Sequence, residues 1–305
     1  MNVYAQDDFR IELATDKPYH YLDQTIYVYG NLTLNNNTVN DALVGIEVVN
    51  PKGTSIIIRT TATGDISGKN WLIEILNVTP CDMYGNPRNT FKVGELCFFN
   101  VTVKNNDIEI RNVFISVNIY DSTNTPIGLT GFQAQIYANT TGQVILSLPL
   151  PKTAVNGKGK AYANVYSLRP KEGGKPYGPE GSAEFNITGS TVVGTTPPPP
   201  QTPNGNFHIF FHLSPYHEAG THRAFASSMY NGYTAVNYTD FLVKVPGDTN
   251  GDFKVDLIDL STLGFAWWST PNSPNWNPSC DFNGDKRIDG SDLNMLGRYW
   301  GYPRI

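Results

Sequence analysis

Charge is what this 305-residue chain has least of: Asp, Glu, Lys and Arg make up only 16% of it. No Lys/Arg run or basic stripe occurs, which leaves little to grip a phosphate backbone and argues against nucleic acid as a partner. No apolar run approaches the roughly 20 residues needed to span a bilayer, so no membrane span is expected. Also missing are a G-x-S-x-G elbow, an H-E-x-x-H helix and a Gly-rich phosphate loop, and catalysis is not expected. Cysteine is scarce, at three residues. Cys81 and Cys97 bracket a short turn-rich stretch and are the candidate disulfide, closing a loop of about 15 residues. Spacing alone leaves open whether they bridge or stay free. Cys280 reads as a small buried side chain.

Glycine (28), proline (21), tyrosine (17) and phenylalanine (15) are plentiful, the composition of strands joined by tight turns. Phe9, Ile11 and Leu13 alternate with Arg10 and Glu12, the period of a half-buried strand. Similar runs at 24–34, 42–53 and 54–65 give four strands of an unfinished sandwich. A second series, near 71–78 and then at 95–106, 113–128, 132–151, 158–170 and 181–189, makes a complete one. After a proline-rich stretch come only three strands, 206–214, 221–232 and 233–245, too few to stand alone. The expected fold is therefore mainly β. Residues 1–68 and 205–245 form one discontinuous immunoglobulin-like sandwich, 69–189 a second inserted into its loop, 190–204 a linker and 246–305 a final domain. The alternative is that 206–245 completes the sandwich of a neighbouring molecule. The stretches "TDKPYHYLDQTIYVYG" and "EAGTHRAFASSMYNGYTA" resemble immunoglobulin-like, macroglobulin-type modules of archaeal and bacterial surface proteins.

Export is expected on two grounds. Val3-Tyr4-Ala5 before Gln6 reads as the tail of a secretory leader. Seven N-x-[ST] sequons, at Asn31, Asn36, Asn77, Asn100, Asn139, Asn186 and Asn237, are candidate glycosylation sites, although an Asn- and Thr-rich chain produces several by chance.

The acidity is local. Two stretches, "GDTNGDFKVDLIDL" (247–260) and "CDFNGDKRIDGSDL" (280–293), hold eight of the 27 acidic residues and three of the 22 basic ones, which leaves the rest of the chain balanced at 19 of each sign. On a twelve-position loop, Asp248, Asn250, Asp252, Asp256 and Asp259 take positions 1, 3, 5, 9 and 12. Asp281, Asn283, Asp285, Asp289 and Asp292 take the same positions 33 residues later. This is the EF-hand ligand spacing, completed by the backbone carbonyls of Lys254 and Arg287 at position 7. Calcium takes six to eight hard oxygens at about 2.3–2.6 Å, and a short loop supplies them only if alternate residues turn inward. Two such loops predict two calcium ions. Val255 and Ile288, at position 8, should anchor each loop in the core. A single match could be a mere turn; two in one register are not.

The repetition runs on, since Leu260, Leu263, Gly264 and Trp267 recur as Leu293, Leu296, Gly297 and Trp300. Loop, helix, connector, loop and helix, with Asp at position 12, resemble a type I dockerin over residues 246–305. The connector "STPNSPNWNPSCDFNGD" is similar to that of archaeal dockerin-like modules. The resemblance implies a calcium-folded module that binds a β-sandwich partner, the cohesin. Two departures from the family pattern stand out. Position 6, normally Gly, is Phe253 and Lys286, and a left-handed backbone there costs about 1 kcal/mol per residue. Positions 10 and 11, a common partner contact in the family, are Leu257-Ile258 in one repeat and Gly290-Ser291 in the other, which implies one preferred face. Phe265 and Trp268 fall on other faces of the first helix and are further interface candidates, whereas Trp267 and Trp300 are expected in the core. His208, His212, His217, Glu218 and His222 form a weaker, metal-like cluster, more simply read as a solvated strand and turn.

The expected function is a non-catalytic extracellular structural protein. It would polymerise head to tail with other copies of itself, into a surface filament or matrix. The alternative is a carbohydrate- or protein-binding module tethered to a separate cohesin scaffold at the cell surface. A third reading, a dockerin-borne hydrolase, requires a pocket with convergent carboxylates.

Overall fold

The computed structural model describes residues 8–194 and 205–303; the leader-like residues 3–6 and most of the expected linker, 195–204, lie outside them. The chain opens with strands β1 (Phe9–Thr15), β2 (Tyr19–Tyr21), β3 (Thr25–Leu34), β4 (Asn37–Thr38), β5 (Leu43–Val49) and β6 (Ser55–Ala62). A second run follows: β7 (Ile73–Cys81), β8 (Thr90–Lys92), β9 (Leu96–Asn105), β10 (Arg111–Tyr120), β11 (Pro126–Ile136), β12 (Thr141–Pro149), β13 (Gly157–Tyr166) and β14 (Gly181–Thr188). The chain continues with β15 (Phe207–His212), β16 (Gly220–Tyr230) and β17 (Tyr233–Lys244), then helices α1 (Leu257–Phe265) and α2 (Gly290–Tyr299). The fold is mainly β: two sandwiches, the second inserted into a loop of the first, and a small helical module. Its described residues fall into two compact units, one from 8–16, 25–194, 205–213 and 223–240, the other from 17–24, 214–222 and 241–303.

In the first unit, strands from both ends of the chain share sheets. β15 lies antiparallel to β3, with Phe207 opposite Gly30, and β16 antiparallel to β5, with Phe225 opposite Glu47. The sheets run β1-β3-β15 and β6-β5-β16-β17, closed over Ile26, Val28, Ile46, Val48, Phe207 and Phe211. The inserted sandwich has sheets β12-β9-β7 and β11-β10-β13-β14-β8, and its core holds Phe91, Phe99 and Phe185. Alternation builds it: Cys97, Phe99, Val101 and Val103 of β9 are buried, between half-buried Phe98, Asn100 and Thr102.

The insert seals the outer edge of β6. Asn118 Nδ2 donates to Ile56 O (3.4 Å) and its Oδ1 accepts from Ile58 N (3.3 Å). Asn164 Nδ2 donates to Ile58 O (3.1 Å), and Tyr166 Oη donates to Arg59 O (2.7 Å). Alongside, Arg59 forms a bidentate pair with Glu180, at 2.6 and 2.8 Å, its guanidinium 3.3 Å above the Tyr162 ring centre. β5 is buried at all seven positions because the insert covers its outer face: a Cβ on Gly45 would lie 2.6 Å from the Tyr166 ring.

Three expectations are corrected or refined. The run 132–151 is not one strand: the chain turns at Asn139, with φ of 55°, and separates β11 from β12. The Cys81–Cys97 bridge is not formed and both thiols are free. Cys81 sits opposite Phe98 in the β7–β9 ladder, so it shares the face of Phe98, while neighbouring Cys97 points to the other face and donates its thiol to Leu148 O at 3.2 Å. Of the sequons, Asn36, Asn77, Asn139, Asn186 and Asn237 are exposed, and Asn31 and Asn100 half-buried. The Asn237 Nδ2 donates to Ile11 O at 2.7 Å.

In the second unit, the last residues of β17 pair in parallel with β2, Leu242 opposite Tyr19. Arg298 of α2 meets Asp23 at 2.8 Å, and Tyr302 Oη donates to His217 O (3.0 Å) and accepts from Ala219 N (2.8 Å). These contacts join 17–24 and 214–222 to the helical module. Among the described residues, no helix is long and apolar enough to cross a membrane.

Candidate metal centre and docking surface

The two acidic loops fold alike, with the same carboxylate- and amide-to-backbone bonds. Asp248 Oδ1 accepts from Gly251 N (2.7 Å) and its Oδ2 from Phe253 N (2.9 Å); Asp281 does the same with Gly284 N (2.9 Å) and Lys286 N (3.0 Å). Asn250 Oδ1 accepts from Asp252 N and Asp252 Oδ1 from Lys254 N; Asn283 and Asp285 repeat this with Asp285 N and Arg287 N. Such side-chain-to-backbone bonds fix the turn of a twelve-position loop and the orientation of each carboxylate within it. Gly251 and Gly284 have φ of 80° and 76°, and Phe253 and Lys286, at position 6, have φ of 60° and 66°. The left-handed turn is therefore made without the glycine that would relax it.

Positions 9 and 12 also start the helices, which their spacing did not reveal. Asp256 is the N-cap of α1, its Oδ1 accepting from Ile258 N at 2.8 Å, while Asp259 Oδ2 accepts from Asp256 N at 2.9 Å. Asp289 and Asp292 make the same capping box on α2. Asp259 and Asp292 are fully buried. Burial raises the Asp292 carboxyl above its ordinary range and does the same to Asp248. Among the described residues, no group of three or more carboxylate, imidazole or thiol side chains is closed around one point. The donor set nonetheless fits calcium: hard oxygens only, repeated twice, with the carbonyls of Lys254 and Arg287 at position 7.

The core follows from the capping residues. Asp259, Leu263 and Ala266 are buried along α1, and Asp292, Leu296 and Tyr299 along α2, at i, i+4, i+7. Val255 and Ile288 are buried as expected, each hydrogen-bonded to the segment after the other repeat's helix: Val255 N donates to Tyr302 O (3.2 Å), Ile288 N to Ser269 O (3.1 Å). Trp300 corrects the core expectation at 46% exposed; Tyr299, one residue earlier, takes the inward position. Leu293 is also exposed, while Leu260 and Trp267 are half-buried.

What remains outside is weighted toward the first repeat, whose apolar side chains are more exposed than Leu293 and Trp300 of the second. Leu257 (69% exposed), Ile258 (58%), Phe265 (83%) and Trp268 (66%) present an apolar stripe along α1. Their counterparts by position on the second repeat are Gly290, Ser291, Arg298 and Gly301. Arg298 is engaged by Asp23.

The histidines do not gather into one centre. His208 and His212 belong to the first unit, His217, Glu218 and His222 to the second. His222 Nδ1 donates to Gly220 O (3.0 Å), which leaves its Nε2 to accept from His217 Nε2 at 3.0 Å. Burial pushes His217 down to about 3 and lowers His222 as well.

Residues 246–300 match the family model of the dockerin type I domain, a module that docks onto cohesins in a calcium-dependent way. No curated protein matches the chain. Among solved structures it is similar to the C-terminal domain of wzt, with TM-score 0.34, 11% identity and coverage of 40% of this chain and 77% of that one. It is also similar to a beta-glucosidase from Listeria innocua, with TM-score 0.28, 14% identity and coverage of 47% of this chain; the chain spans only 18% of that enzyme.

Proposed function

We propose that the chain is a non-catalytic extracellular structural protein whose C-terminal module, loaded with two calcium ions, docks through α1 onto a cohesin-type β-sandwich. The observation that carries this is the asymmetry of a nearly symmetric module: the same helix position is exposed Phe265 in one repeat and Asp23-paired Arg298 in the other. A cluster of exposed large apolar side chains on so small a module fits a protein interface with an aromatic anchor. It also implies a single docking orientation.

Asp248, Asn250, Asp252, Asp256, Asp259 and the Lys254 carbonyl would hold one ion, and Asp281, Asn283, Asp285, Asp289, Asp292 and the Arg287 carbonyl the other. Bound calcium supplies the charge that lets these carboxylates stand together. The cavity of about 370 Å³ lined by Arg59, Tyr162, Glu180, His208 and Phe210 holds one carboxylate, and it is committed to Arg59. A glycosidase needs two carboxylates across a bond.

Size-exclusion chromatography of the full chain, alone and with a cohesin domain, in calcium and in chelator, tests the reading. A cohesin complex that forms in calcium and is lost with Phe265→Ser or Trp268→Ser is expected. High-mass species of the chain alone, lost on chelation, would make its own copies the partner and produce a filament. No association of either kind would refute docking.

A further inference from the structure

We propose that the free edge of β12 is a second, calcium-independent interaction site, at which a second copy of this chain adds its own β12 antiparallel. A sheet edge displays unpaired N–H and C=O groups, and folded proteins guard such edges with charge, proline, bulges, shortness or a cover. Most other edges here are guarded. β6 is sealed by Asn118, Asn164 and Tyr166. β15 is capped by Asn124, whose Nδ2 donates to Phe210 O at 3.2 Å and whose O accepts from His212 N at 3.0 Å. β1 carries Arg10 and Glu12, and its Ile11 O accepts from Asn237. β7 has Glu74, Pro80 and a bulge between Ile75 and Asn77. β2 and β8 are three residues long.

β12 has none of these devices. It is nine residues long, terminal in its sheet, regular in its pairing to β9, and free of proline until Pro149. No charged residue occurs anywhere between Asp121 and Lys152, in a chain where roughly one residue in six is charged. β11 shares the lack of charge, but its first half is covered, with Leu129 packed against Ile58, Phe114 and Tyr166.

A second copy is the occupant these observations select. An uncharged strand repels no copy of itself, and an antiparallel pair about a two-fold axis is self-complementary. Centring the pair on Ile145, 40% exposed, sets Gln143 opposite Ser147 of the second copy and extends the buried row of Leu146 and Leu148 across the join. Adding strands this way takes its affinity from main-chain bonds.

Analytical ultracentrifugation of the full chain over a concentration series should show a monomer–dimer equilibrium in chelator as well as in calcium. Ile145→Lys, at an exposed position, sets like charges face to face and should weaken the dimer at least about tenfold. Hydrogen exchange of amides 141–149 should slow with concentration in the wild type and not in the variant. The docking-surface variant Trp268→Arg should leave the dimer intact. A chain that stays monomeric at high concentration overturns the proposal. So does a dimer kept by Ile145→Lys and lost in Trp268→Arg, which would belong to α1.

Discussion

Trp268 and Gly301 stand at equivalent positions 33 residues apart, and both hold the left-handed backbone, with φ of 57° and 74°. Their amides act alike: Trp268 N donates to Ile288 O and Gly301 N to Val255 O, both at 2.9 Å. One repeat uses the residue that the conformation favours; the other places an exposed indole there at a cost. Backbone economy alone would have selected glycine twice, so the indole has another use. Trp268→Gly should stabilise the module by about 1 kcal/mol while weakening cohesin docking at least about tenfold. Chemical denaturation and titration calorimetry on one variant separate the two. A loss of stability would place the ring in the module's core instead.

The same strain recurs inside the loops. Phe253 and Lys286 take φ of 60° and 66° at position 6. Phe253→Gly and Lys286→Gly should each release roughly 1 kcal/mol, about a fivefold gain in calcium affinity at the altered loop. Calorimetric titration with calcium against the wild type measures it, and the gains should add.

Calcium removal should act on the helices before the sheets. Asp256 with Asp259 and Asp289 with Asp292 both cap α1 and α2 and serve as ligand positions. Without the ion, their mutual repulsion falls on the first turn of each helix. Circular dichroism in chelator should lose the helical signal and keep the strand signal. A module that stays helical in chelator would show that calcium is not what orders it.

The loops were legible because metal chemistry fixes residue type at fixed spacing, and two copies in register leave little room for chance. The helix faces were legible only in part. Leu263 and Leu296 stood out as apolar, but the buried rows begin at Asp259 and Asp292, which a hydrophobic pattern scores as surface. Trp300 was misplaced for that reason. Strand order across the insert followed from counting strands, whereas the sealing of β6 by Asn118 and Asn164 did not: buried amides carry no periodic signal. Asp23 meets Arg298, and His217 meets Tyr302, only in the folded second unit, and nothing local to any of them marks a boundary there.

Stability should fall on mild acidification through His217. Its imidazole is pushed down to about 3 by burial, with His222 beside it contributing, while in the unfolded chain it titrates near 6.5. Between those values the unfolded state binds the extra proton. Stability from this group is therefore full above pH 6.5 and is lost as pH falls, by up to about 1.4 kcal/mol per pH unit. Urea denaturation between pH 7 and pH 5, above the main carboxylate range, reads the slope. His217→Gln should flatten it, and an unchanged slope would assign the effect elsewhere.

The Arg59–Glu180 pair gives the sharpest test of how the two sandwiches are held together. Both side chains are largely buried, and the Glu180 carboxylate keeps the guanidinium protonated against the cost of that burial. Removing one partner leaves the other charged and uncompensated, so Arg59→Ala should cost about 3–5 kcal/mol. Replacing both, Arg59→Met with Glu180→Leu, removes the desolvation cost together with the attraction and should return most of that stability. A double-mutant cycle by urea denaturation decides it. If the two single losses simply add, the ion pair contributes nothing of its own, and the Asn118, Asn164 and Tyr166 bonds to β6 hold the insert by themselves.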